Sequence, residues 1–273
     1  MKTRIISAAV AIVIAIVVLA LHKTFVFELA IGFLTVMALI ELFKATKLDK
    51  LTVQSYICYG YGALVCIGHI FDSAYKIGYS RLIFGVFVLA MLVSFFREHE
   101  NIKYEQILQM LALGYFVPFA FESILNMNAY EDYGLFMIVI TLCGAWLADS
   151  GAYFAGTFFG KTKLCPKISP KKTVEGLIGG VLTNGVLMIL IGLIYDYALD
   201  GPSLNYIGLF CCGMLCAMLG LVGDLSASLI KRQTGIKDYG NIMPGHGGVM
   251  DRFDSVLIVA PFMYYVFSMG WII

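Results

Sequence analysis

Residues 228–254 gather Asp238, Asp251 and Asp254, the cations Lys231, Arg232, Lys237 and Arg252, and His246 between long apolar stretches. A membrane chain has little reason to concentrate charge in this way unless the charges meet something charged. Carboxylates and cations in one glycine-rich stretch suit a metal-bound phosphate compound. Asp251 and Asp254 are three apart, so a helix beginning near Gly248 presents both on one face. With Asp224 they form an oxygen-rich set of the kind that binds Mg2+ through a few carboxylates, waters and substrate phosphates. Pro244, Gly245, Gly247 and Gly248 let the backbone turn tightly and approach a ligand, with His246 shaping a phosphate loop.

Three further constellations point the same way. Asp224 and Ser228 are four apart and share a helix face, with Lys231 three residues later and Arg232 at the interface. A salt bridge from Asp224 to Lys231 or Arg232 is the plain structural alternative. Trp146, Asp149 and Tyr153 also lie at helical spacing, and Ser150 adds a hydroxyl, which makes a polar pocket wall. Between residues 161 and 176, Ser169, Lys171, Lys172 and Thr173 combine hydroxyls and cations with the amino terminus of a coming helix, a setting for phosphate. The positive-inside rule accounts for the lysines here but not for the Ser-Pro and Thr-x-Glu175-Gly frame. Thr173 to Gly176 also fits a helix cap.

These residues need apolar elements to position them. Hydrophobic residues make up 60% of the 273-residue chain and mean hydropathy is +0.87, where soluble domains are about 45–50% apolar. Backbone amides in hydrocarbon must be bonded within their own segment, so the expected fold is all-α, a polytopic integral membrane protein. About nine spans are expected, near 5–22, 25–43, 53–70, 82–96, 106–126, 134–158, 176–195, 205–230 and 255–271, with eight or ten left open by the short fourth run and the near-continuous first two. With a cytoplasmic amino terminus, sixteen of the 19 Lys and Arg fall inside and only Lys23, Lys76 and Arg81 outside. The first apolar run is expected to be retained and not cleaved as a signal peptide, since no small-x-small site follows it.

Residues 1–130 read as a scaffold of spans. Residues 131–273 read as a catalytic region with cytoplasmic loops 160–175 and 231–254. Glu28, Glu41 and Glu122 sit in or near spans, where the favoured reading is structural because no second charge or motif accompanies them; His69 is read the same way. The Gly176, Gly179, Gly180 and Gly185 spacing is expected to serve helix packing. Seven cysteines without CxxC or metal spacing are expected to act as small apolar fillers.

The pattern at 228–254 resembles the phosphatidate cytidylyltransferases, also called CDP-diglyceride synthases. Ser228, Lys231, Arg232, Lys237, Asp238, Gly240, Pro244, His246, Gly247, Gly248, Asp251, Arg252 and Asp254 match it, with Met243 where that pattern usually has Leu, Ile, Phe or Gly. Residues 169–176 and 149–153 support the match, which is specific over roughly residues 140–260. The resemblance implies transfer of a cytidylyl group from CTP to phosphatidic acid, giving CDP-diacylglycerol and pyrophosphate. It implies Mg2+ on Asp224, Asp251 and Asp254, with K+ as a companion cation, and a homodimer. Lys171, Lys172, Lys231, Arg232 and Arg252 then neutralise triphosphate and lipid phosphate, while Ser169, Thr173, Glu175, Ser228, Lys237, Asp238, His246, Gly247, Gly248, Asp149 and Tyr153 surround the substrates. The compact length resembles bacterial members, so a bacterial plasma membrane with a cytoplasmic active site is expected, and no nucleic-acid partner.

Two other readings compete. A CTP-dependent lipid kinase, such as a dolichol or phytol kinase, also binds CTP in the membrane but releases CDP. A transporter would use Asp149 and Asp224 as intramembrane ion ligands. Against it, the charges cluster on one side and no inverted repeat is visible.

Overall fold

The computed structural model describes residues 2–70, 76–199 and 204–272. Each expected span coincides with a helix: α1 Lys2–Ala20, α2 Phe25–Thr46, α3 Thr52–Ile67, α4 Lys76–Arg97, α5 Tyr104–Asn128, α6 Gly134–Phe159, α7 Val174–Leu199, α8 Tyr206–Thr234 and, after the short α9 Met250–Phe253, α10 Val256–Ser268. Among the described residues six are long and apolar enough to cross a membrane: α2, α5, α6, α8, residues 79–97 of α4 and residues 174–197 of α7. Residues 6–20 and α10 are shorter apolar helices. The side chains of Lys2, Arg4 and Lys76, which enter the charge count, lie outside the described residues.

One short hairpin accompanies the helices. Lys163–Cys165 (β1) and Ser169–Thr173 (β2) pair antiparallel, with Lys163 opposite Thr173 and Cys165 opposite Ser169. The segment is too polar for hydrocarbon and too short to nucleate a helix, so its backbone groups satisfy one another across a hairpin.

The chain divides into two compact units, 1–125 with 234–252 and 126–233 with 253–273. Residues 234–252 thus cluster with the amino-terminal helices, although sequence order puts them in the second half. In the first unit α2 and α3 pack through small residues. Gly62 allows a close fit, since a Cβ there would meet Thr35 and Leu39 at 3.1 and 3.2 Å and press them back by a few tenths of an ångström. Tyr61 stacks on Phe87 with ring centroids 4.3 Å apart. Glu122 and His69 lie 3.6 Å apart, and Ser80 donates to the same carboxylate. The structural reading of that pair therefore has named partners.

In the second unit α6 and α7 run in close contact. A Cβ on Gly176 or Gly180 would come within 2.8 Å of the carbonyl oxygens of Ala152 and Ala148, so these glycines allow near backbone-to-backbone approach. The buried Asn184 of α7 donates to Gly144 O of α6 at 3.0 Å and to Gly213 O of α8 at 2.8 Å, tying three helices at one point. All seven cysteines are free, four of them fully buried, in keeping with a packing role.

Candidate active site

A cavity of about 380 Å³ opens in the second unit between α6, the hairpin, α7 and α8. Its polar wall is Asp149 and Tyr153 from α6 with Lys171, Lys172 and Thr173 from β2. Its apolar wall includes Leu164, Leu177 and Leu221. The hairpin keeps its lysines in place through both of its ends. Thr173 Oγ1 accepts the Gly176 amide at 3.1 Å and so caps α7, while Glu175 accepts the Thr162 amide at 3.1 and 3.2 Å. Thr173 and Glu175 were expected to bind phosphate; the contacts found for them are these internal ones. At the hairpin tip Ile168 O accepts from Arg232 Nε of α8 at 3.3 Å.

Lys172 forms an ion pair with Asp224 of α8. Ser228 Oγ lies 3.5 Å from Asp224 Oδ1, at the limit of a hydrogen bond. Asp254 is buried in the turn before α10, and its Oδ1 accepts the Ser255 amide at 2.7 Å. Burial, then the charge of Asp224, pushes the Asp254 carboxyl up from 3.8 to about 7, with Lys231 opposing and Asp149 adding. Asp224 and Asp149 thus both act electrostatically on Asp254. Among the described residues no group of three or more His, Cys, Asp or Glu is gathered for a metal. The donor chemistry nonetheless fits a hard cation: an ammonium already rests on the Asp224 carboxylate, and burial beside that carboxylate raises the Asp254 carboxyl, the setting in which an added positive charge is favoured.

The chain matches the cytidylyltransferase family over residues 2–269. It is 31% identical over 274 residues to the phosphatidate cytidylyltransferase of Bacillus subtilis and 30% identical over 285 residues to that of Haemophilus influenzae, with 98% of each chain covered in both comparisons. The chain belongs to the cytidylyltransferase family. A further phosphatidate cytidylyltransferase, from Thermotoga maritima, is 37% identical over 139 residues, covering 51% of this chain and 52% of that protein.

The stretch between residues 237 and 252 that carries much of the resemblance lies in the first unit and is shaped internally. Gly247 takes φ +84°, Met243 and Gly247 form an isolated antiparallel bridge, and Arg252 Nε donates to His246 O at 2.9 Å. Lys237 and Asp238 are exposed. Asp251 sits in α9, with Oδ2 accepting the amides of Tyr239 at 2.8 Å and Gly248 at 3.0 Å. Asp254 has left that helix, which ends at Phe253.

Sequence reasoning passed over two residues here. Ser7 of α1 donates to Pro244 O at 2.9 Å and lies 2.9 Å from His246 Nδ1, and no spacing pattern marks it. Glu41 of α2, read as a residue without a companion motif, accepts the amides of Val249 at 3.1 Å and Met250 at 2.8 Å. Its only signal was a carboxylate inside an apolar run.

Proposed function

We propose that this chain transfers the cytidylyl group of CTP to phosphatidic acid, leaving CDP-diacylglycerol in the membrane and releasing pyrophosphate. The observation that carries the reading is Lys172, which lines the cavity and pairs with Asp224 in a chain related over nearly its full length to phosphatidate cytidylyltransferases. A phosphate oxygen of the lipid forms the new bond to the α-phosphorus of CTP. The bond from that phosphorus to the β-phosphate bridge breaks, and its electron pair leaves with pyrophosphate.

Both reactants are anionic, so the work lies in positioning and charge neutralisation. Lys171 and Lys172 supply positive charge at the cavity wall, and Lys231 and Arg232 supply it at the end of α8. Asp149 and Tyr153 orient the polar end of a substrate beside them. Asp224 and Asp254 are the proposed Mg2+ ligands. Mg2+ held there supplies neutralisation of the triphosphate. Sequence spacing adds Asp251 as a third candidate, although its Oδ2 already holds two amides of its own segment. The lipid phosphate needs no base, because its second pKa of about 6 leaves it largely ionised at pH 7.

The Lys and Arg asymmetry supports a cytoplasmic amino terminus and a site open to the cytoplasmic leaflet, the apolar periodicity supports nine spans, and the bacterial relatives support a bacterial plasma membrane. A homodimer is proposed on the resemblance. The test uses purified protein in detergent with phosphatidic acid, Mg2+ and CTP labelled separately at the α- and γ-phosphates. The α-label should enter lipid as CDP-diacylglycerol while the γ-label leaves as pyrophosphate. Entry of γ-label into a lipid alcohol supplied in parallel would mean a kinase instead.

A further inference from the structure

The carboxylate of Glu41 stands inside the apolar helix α2, 4% exposed, where an ionisable group is costly without a compensating role. Its compensation is specific. Oε1 accepts the Val249 amide and Oε2 the Met250 amide, so both oxygens are used and the plane of the carboxylate is set by two consecutive peptides. The segment fits closely around it at a second point. A Cβ on Gly240 would overlap the Glu41 carboxylate, and a Cβ on Gly248 would overlap both of its oxygens. Two glycines eight residues apart are therefore shaped to one carboxyl group.

Asp251 takes the Tyr239 and Gly248 amides of the same segment. Three consecutive amides, those of Gly248, Val249 and Met250, are thus turned onto protein carboxylates. The backbone here is held from within.

We propose that Glu41 is a positioning residue: it touches no substrate, and it holds the Gly240–Arg252 segment in the shape that nucleotide and metal binding require. The proposal rests on the cytidylyl-transfer reading for its kinetic consequence but not for its structural one. Glu41→Gln keeps the size of the side chain and one acceptor oxygen but turns an NH2 group toward the second amide. The Gly248→Ala variant displaces the same carboxylate from the other side.

Two measurements test this. Hydrogen exchange of the wild-type protein in detergent should show the Val249 and Met250 amides protected, and Glu41→Gln should speed their exchange about tenfold or more, as expected for loss of a charge-assisted hydrogen bond. In steady state Glu41→Gln and Gly248→Ala should both lower kcat by about 100-fold. They should also raise the KM for CTP and the Mg2+ concentration giving half-maximal rate. A smaller folded fraction lowers apparent kcat but leaves those two constants unchanged, so a fall in kcat alone would make Glu41 a stability residue and overturn the proposal. Unprotected amides in the wild type, or wild-type kinetics in Glu41→Gln, would overturn it as well. If Glu41→Gln does not fold, the wild-type exchange and the Gly248→Ala constants decide. Absence of CDP-diacylglycerol from the wild type would count against the proposed function, and amide exchange would still judge the anchor.

Discussion

Asp224 and Asp254 carry two different consequences of the same electrostatics. Asp224 has an ammonium beside it, so its expected role is to bind and place charge. Asp224→Asn should lower kcat by about 10²–10³-fold, the scale for losing one preorganised electrostatic contact, and should raise the Mg2+ concentration for half-maximal rate. A magnesium titration of both proteins checks this; an unchanged half-saturation would remove Asp224 from the metal site. Asp254 has its carboxyl raised from 3.8 to about 7 by burial and then by Asp224. The folded state therefore binds this proton more tightly than the unfolded state does. The metal-free protein should be most stable at acid pH and lose that contribution as pH rises from about 4 to about 7. Mg2+ needs the ionised form and should restore stability most above pH 7. Unfolding temperatures in chelator and in Mg2+ at pH 5 and pH 8 measure both effects, and Asp254→Asn should abolish this part of the pH difference.

At the scale of elements, the site depends on how closely α6 and α7 approach and on what ties them to α8. The glycine faces permit the contact, whereas Asn184 gives it direction by bonding one carbonyl on each neighbour. Interhelical hydrogen bonds in membranes average about 0.6 kcal/mol, so Asn184→Leu, nearly equal in size, should cost about 1 kcal/mol. The midpoint of detergent-induced unfolding measures this. An unchanged midpoint would mean that packing alone sets the geometry of the three helices. The hairpin is the second device at this scale: Thr173 and Glu175 fasten it to α7 and to Thr162, and Lys171 and Lys172 of β2 inherit a fixed position.

For the molecule as a whole, the proposed topology puts the charged loops near the site on the cytoplasmic face. Cys165, a free and partly exposed cysteine in β1 beside Lys163 and Lys167, reports on that face. In inside-out vesicles a membrane-impermeant maleimide should modify Cys165, as read by peptide mapping, and in right-side-out vesicles it should leave Cys165 intact. The reverse pattern would invert the proposed topology.

Sequence alone determined the membrane setting and the helical segments and nominated residues for handling phosphate, because hydropathy, charge bias and short-range spacing are local properties. Spacing also joined Asp224 to Ser228 on one face of α8, and the cap at Thr173 was readable from Thr-x-Glu-Gly. The tertiary structure alone decided which of these groups meet. Lys172 chose Asp224 as its partner, Asp254 left the helix that was to align it with Asp251, and the segment at 240–252 closed around Glu41 from a helix some two hundred residues earlier. A buried carboxylate is satisfied by whichever amides the fold brings to it, and nothing in the local pattern around Glu41 names peptides so distant in the chain.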